Sequence, residues 1–274
     1  MRKLRWLALL PLSLLWPDDD GAAAETRNRA LPRAMEAKYE ISWLGLPVYE
    51  GRFTGTVGEH GYRASFSSKS VGVMALLANS TITASTAGML GGDAFRLARF
   101  DANAVWRKKK RAVIMTVDKT GDVHTTLEPA ERIDKRPAVP AVVRRQAVDP
   151  ITGLLNAITL PLDNESCRLT VPIFDGRRRL DVRLEMDGRE ELRAPPRPDL
   201  LRTLLRCRVY VEAVAGFNDK ELKDMPKAGE YGKLWLARMP GAQLWIPLRM
   251  EYASQWGPIA GELIDYKVRL GAAN

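Results

Sequence analysis

The sequence predicts a mainly β protein: a strongly coiled antiparallel sheet or partial β-barrel with one or two short helices. Three observations carry this prediction. Apolar and polar residues alternate with period two over most of the chain. Glycines such as Gly51 and Gly55 interrupt strands where a bulge or sharp coiling is needed. The only two cysteines, Cys167 and Cys207, each fall on the apolar side of an alternating segment.

The elements follow in order. Tyr39, Ile41 and Trp43 share one face, with Lys38, Glu40 and Ser42 opposite. Tyr49, Phe53 and Val57 continue the pattern, and Tyr62, Ala64 and Phe66 resume it after the Gly58–Gly61 turn. Further strands are predicted over Thr81–Thr86, Phe95–Phe100 and Val105–Val117, the last interrupted by Arg107–Arg111. Leu180, Val182, Leu184 and Met186 alternate with Asp181, Arg183 and Glu185; Leu244–Met250 and Ile264–Leu270 repeat the period near the end. One packed and one wet face indicates antiparallel pairing. Two segments break the rhythm. Asp149 is a cap-type residue, Pro150 suits the first helical position, and Ile151, Leu154, Leu155 and Ile158 follow at helical spacing, which predicts a helix ended by Pro161. Val71–Ala78 is apolar almost all round and reads as a buried helical turn or a connection tucked under the sheet. Pro- and charge-rich Glu128–Arg145 and Arg193–Asp199 read as exposed loops.

The first residues have the grammar of an export signal. Arg2, Lys3 and Arg5 precede an apolar run from Leu7 to Trp16, and Ala22-Ala23-Ala24 offers an A-x-A cleavage site. Spanning a bilayer needs roughly 20 apolar residues, so this run is too short for an anchor, and no later segment approaches that length. The expected organisation is a cleaved signal peptide at 1–24, an N-terminal tail at 25–37 and a single β-rich domain at 38–270, located in the periplasm. The net charge of +9 survives cleavage, because three basic residues leave with Asp18, Asp19 and Asp20. A cationic exported protein favours anionic partners such as lipid head groups, lipopolysaccharide or an envelope protein, and export argues against nucleic acid.

Several short motifs recur in a consistent order. Tyr39-Glu-Ile-Ser-Trp-Leu-Gly-Leu-Pro47 opens the domain, and Asp149-Pro150-Ile151-Thr152 precedes the helix. Phe174-Asp175-Gly176-Arg177 follows Cys167; then come Cys207-Arg208-Val209, Gly216-Phe217, Leu234-Trp235-Leu236-Ala237 and Ile246-Pro247-Leu248-Arg249. The chain thereby resembles exported bacterial proteins grouped as domain of unknown function 3108, over roughly Tyr39 to Val268. The resemblance implies an exported, mostly β protein and assigns no biochemical activity. The Trp-Leu-Gly-Leu-Pro-Val opening departs from the family's more usual Gly-rich form.

Export, an even cysteine count and matching apolar faces predict a disulfide between Cys167 and Cys207. Closing a loop of about 40 residues contributes ~4 kcal/mol on the loop-entropy view. Asp175-Gly176 predicts a hairpin, so the Cys167 strand should pair with the Leu180–Met186 strand. A Cys207 strand on the far side of that strand would lie about 9.5 Å away, beyond the roughly 7 Å reach of a disulfide. The expected solutions are direct pairing of the two cysteine strands, or a sheet curled until its inner faces meet.

No constellation identifies a reaction. His60 and His124 are the only histidines, and no H-E-x-x-H, C-x-x-C or G-x-S-x-G occurs. Asp181 and Glu185 read as partners of Arg179 and Arg183 rather than as an acid/base pair. No catalytic residue, metal ligand or cofactor is expected. The candidate sites are an apolar pocket at Val73, Met74, Leu76 and Leu77 and a basic surface at Arg107, Lys108, Lys109, Lys110 and Arg111, next to Trp106. The basic run suits an anionic surface; its blander role is protection of a hairpin end against edge association. The expected function is a non-enzymatic periplasmic envelope protein that binds an amphiphile or envelope partner in or on a curled sheet. The alternatives are an interaction module for envelope assembly with no small ligand, and a hydrolase of envelope polymers.

Overall fold

The computed structural model describes residues 31–91, 94–129, 136–159, 166–254 and 256–271. The expected signal peptide lies outside them. Thirteen strands form one sheet: β1 (Pro32–Trp43), β2 (Leu46–Val57), β3 (Tyr62–Ser70), β4 (Ser80–Gly91), β5 (Ala94–Trp106), β6 (Lys109–Val117) and β7 (Val123–Glu128) come first. Then follow β8 (Leu169–Phe174), β9 (Arg179–Glu191), β10 (Thr203–Ala215), β11 (Gly232–Arg238), β12 (Trp245–Ser254) and β13 (Gly257–Leu270). Among the described residues four short helices, where one or two were expected, are α1 (Gly72–Ala78), α2 (Ala141–Arg145), α3 (Pro150–Thr159) and α4 (Asp219–Asp224). The spatial order β7-β6-β5-β4-β3-β2-β1-β13-β12-β11-β10-β9-β8 consists of two meanders. They join where the first strand pairs with the last, from Pro32↔Leu270 to Trp43↔Ile259. The first strand therefore begins at Pro32, and residues 32–37 of the expected tail are part of the sheet.

What curls the sheet is the chain that links its two edges. The connection from β7 to β8 carries α3, which touches β3, β4 and β5 of one meander and β8 and β12 of the other. Ile151, Leu155 and Ile158 are buried in the core that lines the sheet, with Phe53, Tyr62, Phe95, Phe100 and Met115 around them. Burying each of these aliphatic chains is worth about 1.5–3 kcal/mol. The expected amphipathic helix has little wet face: Thr152, Asn156 and Thr159 are buried too. Each meets a partner, as buried polar groups must. Asn156 accepts from the Phe95 N–H at 2.8 Å and donates to the Phe95 carbonyl at 3.1 Å, so the helix is stitched to β5. Where β4 and β5 bulge, Gly88 lies so close to Arg96 that an added Cβ would sit 1.9 Å from its carbonyl oxygen. Helix α3 thus packs within the curl of the sheet.

The sheet does not close by hydrogen bonds, because β7 and β8 are both edges. Gly176, at the β8–β9 turn with φ +91°, reaches across the gap: an added Cβ there would meet Val113 of β6 at 2.4 Å and Thr125 of β7 at 3.3 Å. Val148 bridges Ile173 in parallel, its N–H bonding the Pro172 carbonyl at 3.0 Å, and Arg145 pairs with Asp122 at 2.6 Å. Contact of turn and connection, in place of a ladder, covers the seam.

The disulfide obeys a different geometry from the expected one. Cys167 and Cys207 are bonded, with Cα atoms 5.7 Å apart. Yet the strand order is β8-β9-β10, so their strands neither pair directly nor meet across an interior. Both expected solutions assumed that Cys167 stays in its strand. The register Leu169↔Leu184 would set it level with Met186, the partner of Cys207. Instead β8 begins only at Leu169, and the chain before it crosses over β9 to reach β10. The bond sits in a second apolar cluster with Leu184, Leu205, Leu236 and Trp245. Leu204/Leu205, Leu236/Ala237 and Trp245/Ile246 are neighbours split between the two clusters. Successive residues of a strand face opposite sides, so β10, β11 and β12 carry apolar cover on both faces.

Candidate functional site

Antiparallel order puts alternate connections at one end of the sheet. The β1–β2 turn, α1, the β5–β6 turn, the β12–β13 turn, the β8–β9 turn and the β10–β11 connection with α4 therefore form one rim. Backbone contacts knit the first four into a row that follows the strand order. The Leu44 N–H donates to the Pro258 carbonyl at 3.0 Å, and Trp43 Nε1–H donates to the Trp256 carbonyl at 2.8 Å. The Val71 N–H donates to the Val48 carbonyl at 2.9 Å, which seats α1 beside the β1–β2 turn. At the other end of α1, the Arg107 N–H donates to the Ala78 carbonyl at 3.1 Å.

The side chains on this row are the unusual part. Segment Val71–Ala78 is a helix, but not a buried one. Only Ala78 is buried, whereas Leu76 is 88% and Leu77 63% exposed, and Val73 also faces solvent. Of the residues expected to line an apolar pocket, Val73, Leu76 and Leu77 are exposed and Met74 is partly buried. The helix displays these residues because it packs on β2 and β3 through one side only. Leu44, Leu46 and Trp106 are exposed as well, and Trp256 is 73% exposed. Contiguous exposed apolar area of this kind marks an interaction surface. The basic run does not interrupt one strand as expected: β5 ends at Trp106, β6 starts at Lys109, and Arg107-Lys108 make the turn. Leu44 (φ 52°) and Arg107 (φ 56°) both hold the left-handed backbone that bulky residues rarely adopt. Strain of that kind concentrates at functional positions.

Charge is distributed unevenly between the basic run Arg107–Arg111 and a second basic run, Arg177–Arg179. In the second, Arg178 pairs with Asp175 at 2.7 Å and Arg179 with Asp181 at 2.8 Å. Arg183 likewise pairs with Glu185 and Glu212, as expected from alternation. In the first, Arg107, Lys108, Lys109, Lys110 and Arg111 are all exposed, and no ion pair among the described residues involves them. The curl brings the two runs together. Burial, then the positive charges of Arg111 and Arg178, push the Arg177 guanidinium below its ordinary value.

A buried polar cluster stands apart from this rim. Asp149 caps α3 through the Ile151 and Thr152 N–H groups at 2.9 and 3.1 Å, and accepts from the Thr86 hydroxyl at 3.0 Å. Thr152 also donates to its carboxylate, and Tyr62 shares a hydrogen bond with Thr152 at 2.5 Å. Burial raises the Asp149 carboxyl above its ordinary value, against the pull of these donors. It likewise pushes the Tyr62 hydroxyl up to about 12. Asp149 and Thr152 have no exposed surface, so no substrate reaches them and their chemistry is that of holding α3. The sequence signalled only the cap. Thr86 and Tyr62 carry no local hint of the cluster.

Other features are peripheral. A groove of about 650 Å³ on the sheet surface runs along Lys38, Glu50, Arg52 and Ile82, where Lys69 pairs with Glu50 at 3.0 Å. His124 bonds Asp118 at 2.7 Å in an exposed turn. Among the described residues no group of three or more His, Cys, Asp or Glu is placed to hold a metal, and no helix is long and apolar enough to cross a membrane.

The fold and rim thus define a β-barrel-like protein: one uncapped antiparallel sheet curled around a helix. Its likeness is to a crystal structure of a β-barrel-like protein of domain of unknown function DUF1849 from Brucella abortus. The TM-score is 0.50 at 12% identity, over 88% of this chain and 99% of that one. The chain belongs to the protein family of unknown function DUF3108, whose profile matches residues 38–264. No curated protein matches the chain.

Proposed function

We propose that this is a non-enzymatic envelope protein, exported to the periplasm by cleavage after Ala24, that binds an amphiphile on its rim and not inside the sheet. One observation carries the reading: the hydrogen bond from the Arg107 N–H to the Ala78 carbonyl sets a solvent-facing apolar helix against five cations that form no ion pair among the described residues. An amphiphile with an anionic head and an apolar tail matches that pair of surfaces. The buried core around α3 favours the rim over the interior as the binding surface. The Cys167–Cys207 bond supports an oxidising compartment.

Native mass spectrometry of protein taken from the periplasm tests it. The expected result is a mature chain beginning at Glu25 that retains an anionic lipid, lost on substitution Leu76→Asp. A chain found in the cytoplasm, or always lipid-free, overturns it. Protein crosslinks through the rim with no retained lipid would instead favour an interaction module for envelope assembly.

A further inference from the structure

We infer that the rim docks the protein onto the surface of an anionic bilayer, with α1 and the two tryptophan turns entering the head-group region. This rests on the amphiphile reading above but goes further, because it names a surface rather than a single bound molecule. Three features converge on it. First, six exposed large apolar residues come from four separate connections at one end of the sheet: Leu44, Leu46, Leu76, Leu77, Trp106 and Trp256. Second, the aromatic members are tryptophans, which prefer the head-group level where one side is apolar and the other wet. Third, the cations that flank α1 extend along the same end. Lys108, Lys109, Lys110 and Arg111 are exposed, and among the described residues none of them forms an ion pair.

Like charges left unneutralised beside one another repel, so they persist where a partner outside the chain supplies the anions. An interfacial device of this sort needs an apolar face for insertion and electrostatic attraction to anionic lipid, and neither suffices alone.

The test is binding of the purified protein to vesicles of phosphatidylglycerol and phosphatidylethanolamine, against vesicles of phosphatidylcholine alone. The expected result is binding to the anionic vesicles only, weakened by salt because exposed charges are screened. The triple substitution Lys108→Gln, Lys109→Gln, Lys110→Gln should weaken it on the order of 100-fold. Leu76→Asp with Leu77→Asp should weaken it on the order of 10-fold or more, and both variants should melt as the wild type does because the residues are exposed. Brominated acyl chains should quench the wild-type tryptophan emission, and Trp106→Phe with Trp256→Phe should abolish that quenching. Equal binding to both vesicle types, or quenching unaffected by the double tryptophan substitution, overturns the inference. A lipid retained in mass spectrometry without vesicle binding would uphold the amphiphile reading and sink the surface one. Vesicle binding with no retained lipid would do the reverse.

Discussion

The two apolar clusters of this protein share three strands and are held by opposite means. On one face of β10–β12, the core around α3 is covered by a helix that brings its own hydrogen-bond partners: Asp149, Thr152 and Asn156 anchor it to β3, β4 and β5. On the other face, the cluster of Leu184, Leu205, Leu236 and Trp245 is covered by a short extended segment fastened by one covalent bond. A helix can satisfy its backbone alone and needs only side-chain complementarity. An extended segment lying across a sheet has no ladder to join, so a disulfide substitutes for the missing hydrogen bonds. The comparison separates what packing holds from what chemistry holds.

Substitutions can break that comparison one side at a time. Leu155→Ala empties the centre of the helical cluster and should cost about 4 kcal/mol in urea denaturation, the range for a fully buried leucine. Removing the bond by Cys167→Ser with Cys207→Ser should cost about 3 kcal/mol. Its hydrogen exchange should rise at Leu169–Phe174 while α3 stays protected; equal loosening of both would show that the clusters are one unit. Asp149→Ala removes the cap and strands two buried hydroxyls, for a loss of about 2 kcal/mol. Asp149→Asn keeps an oxygen for the helix N–H groups and an N–H for Thr86, and should lose much less.

The smallest effect is a pH dependence. Because burial raises the Asp149 carboxyl in the fold, the folded state binds its proton more tightly than the unfolded chain does. That contribution is fully present below the ordinary carboxylate value and disappears as pH rises through the folded value. The wild type should therefore gain on Asp149→Asn as pH falls from about 7 towards 4. A difference in urea midpoint that stays flat, or runs the other way, would show that the carboxyl is held ionised by its donors.

Much of the fold could be read from period two, and the reason it stopped short is equally physical. Alternation says which side chains share a face, so the strands at Tyr39–Trp43, Leu180–Met186 and Ile264–Leu270, and the turn at Asp175-Gly176, were legible. Alternation says nothing of which strand lies beside which, and the bond from Cys167 over β9 depended on that order. The helix start at Asp149-Pro150 was equally clear, but its burial was not, since burial came from strands far away in the chain. The apolar segment at Val71–Ala78 failed for another reason. Apolar composition does not by itself fix burial, since over half of a folded surface is still contributed by apolar atoms. Its neighbours Leu44, Trp106 and Trp256 come from connections that the sequence holds far apart, so the rim had no local signature.

The pairing of β1 with β13 also dictates when the molecule can exist. Each meander grows by hairpins between successive strands, contacts that form locally and early. The ladder from Pro32↔Leu270 to Trp43↔Ile259 spans nearly the whole chain, so a polypeptide emerging from its N-terminus holds two unjoined half-sheets until the last strand arrives. Until then β1 presents an open edge in the middle of the future sheet. That makes the final strand the timer of the fold, and shortening the chain before Gly257 would leave the two meanders without the ladder that joins them.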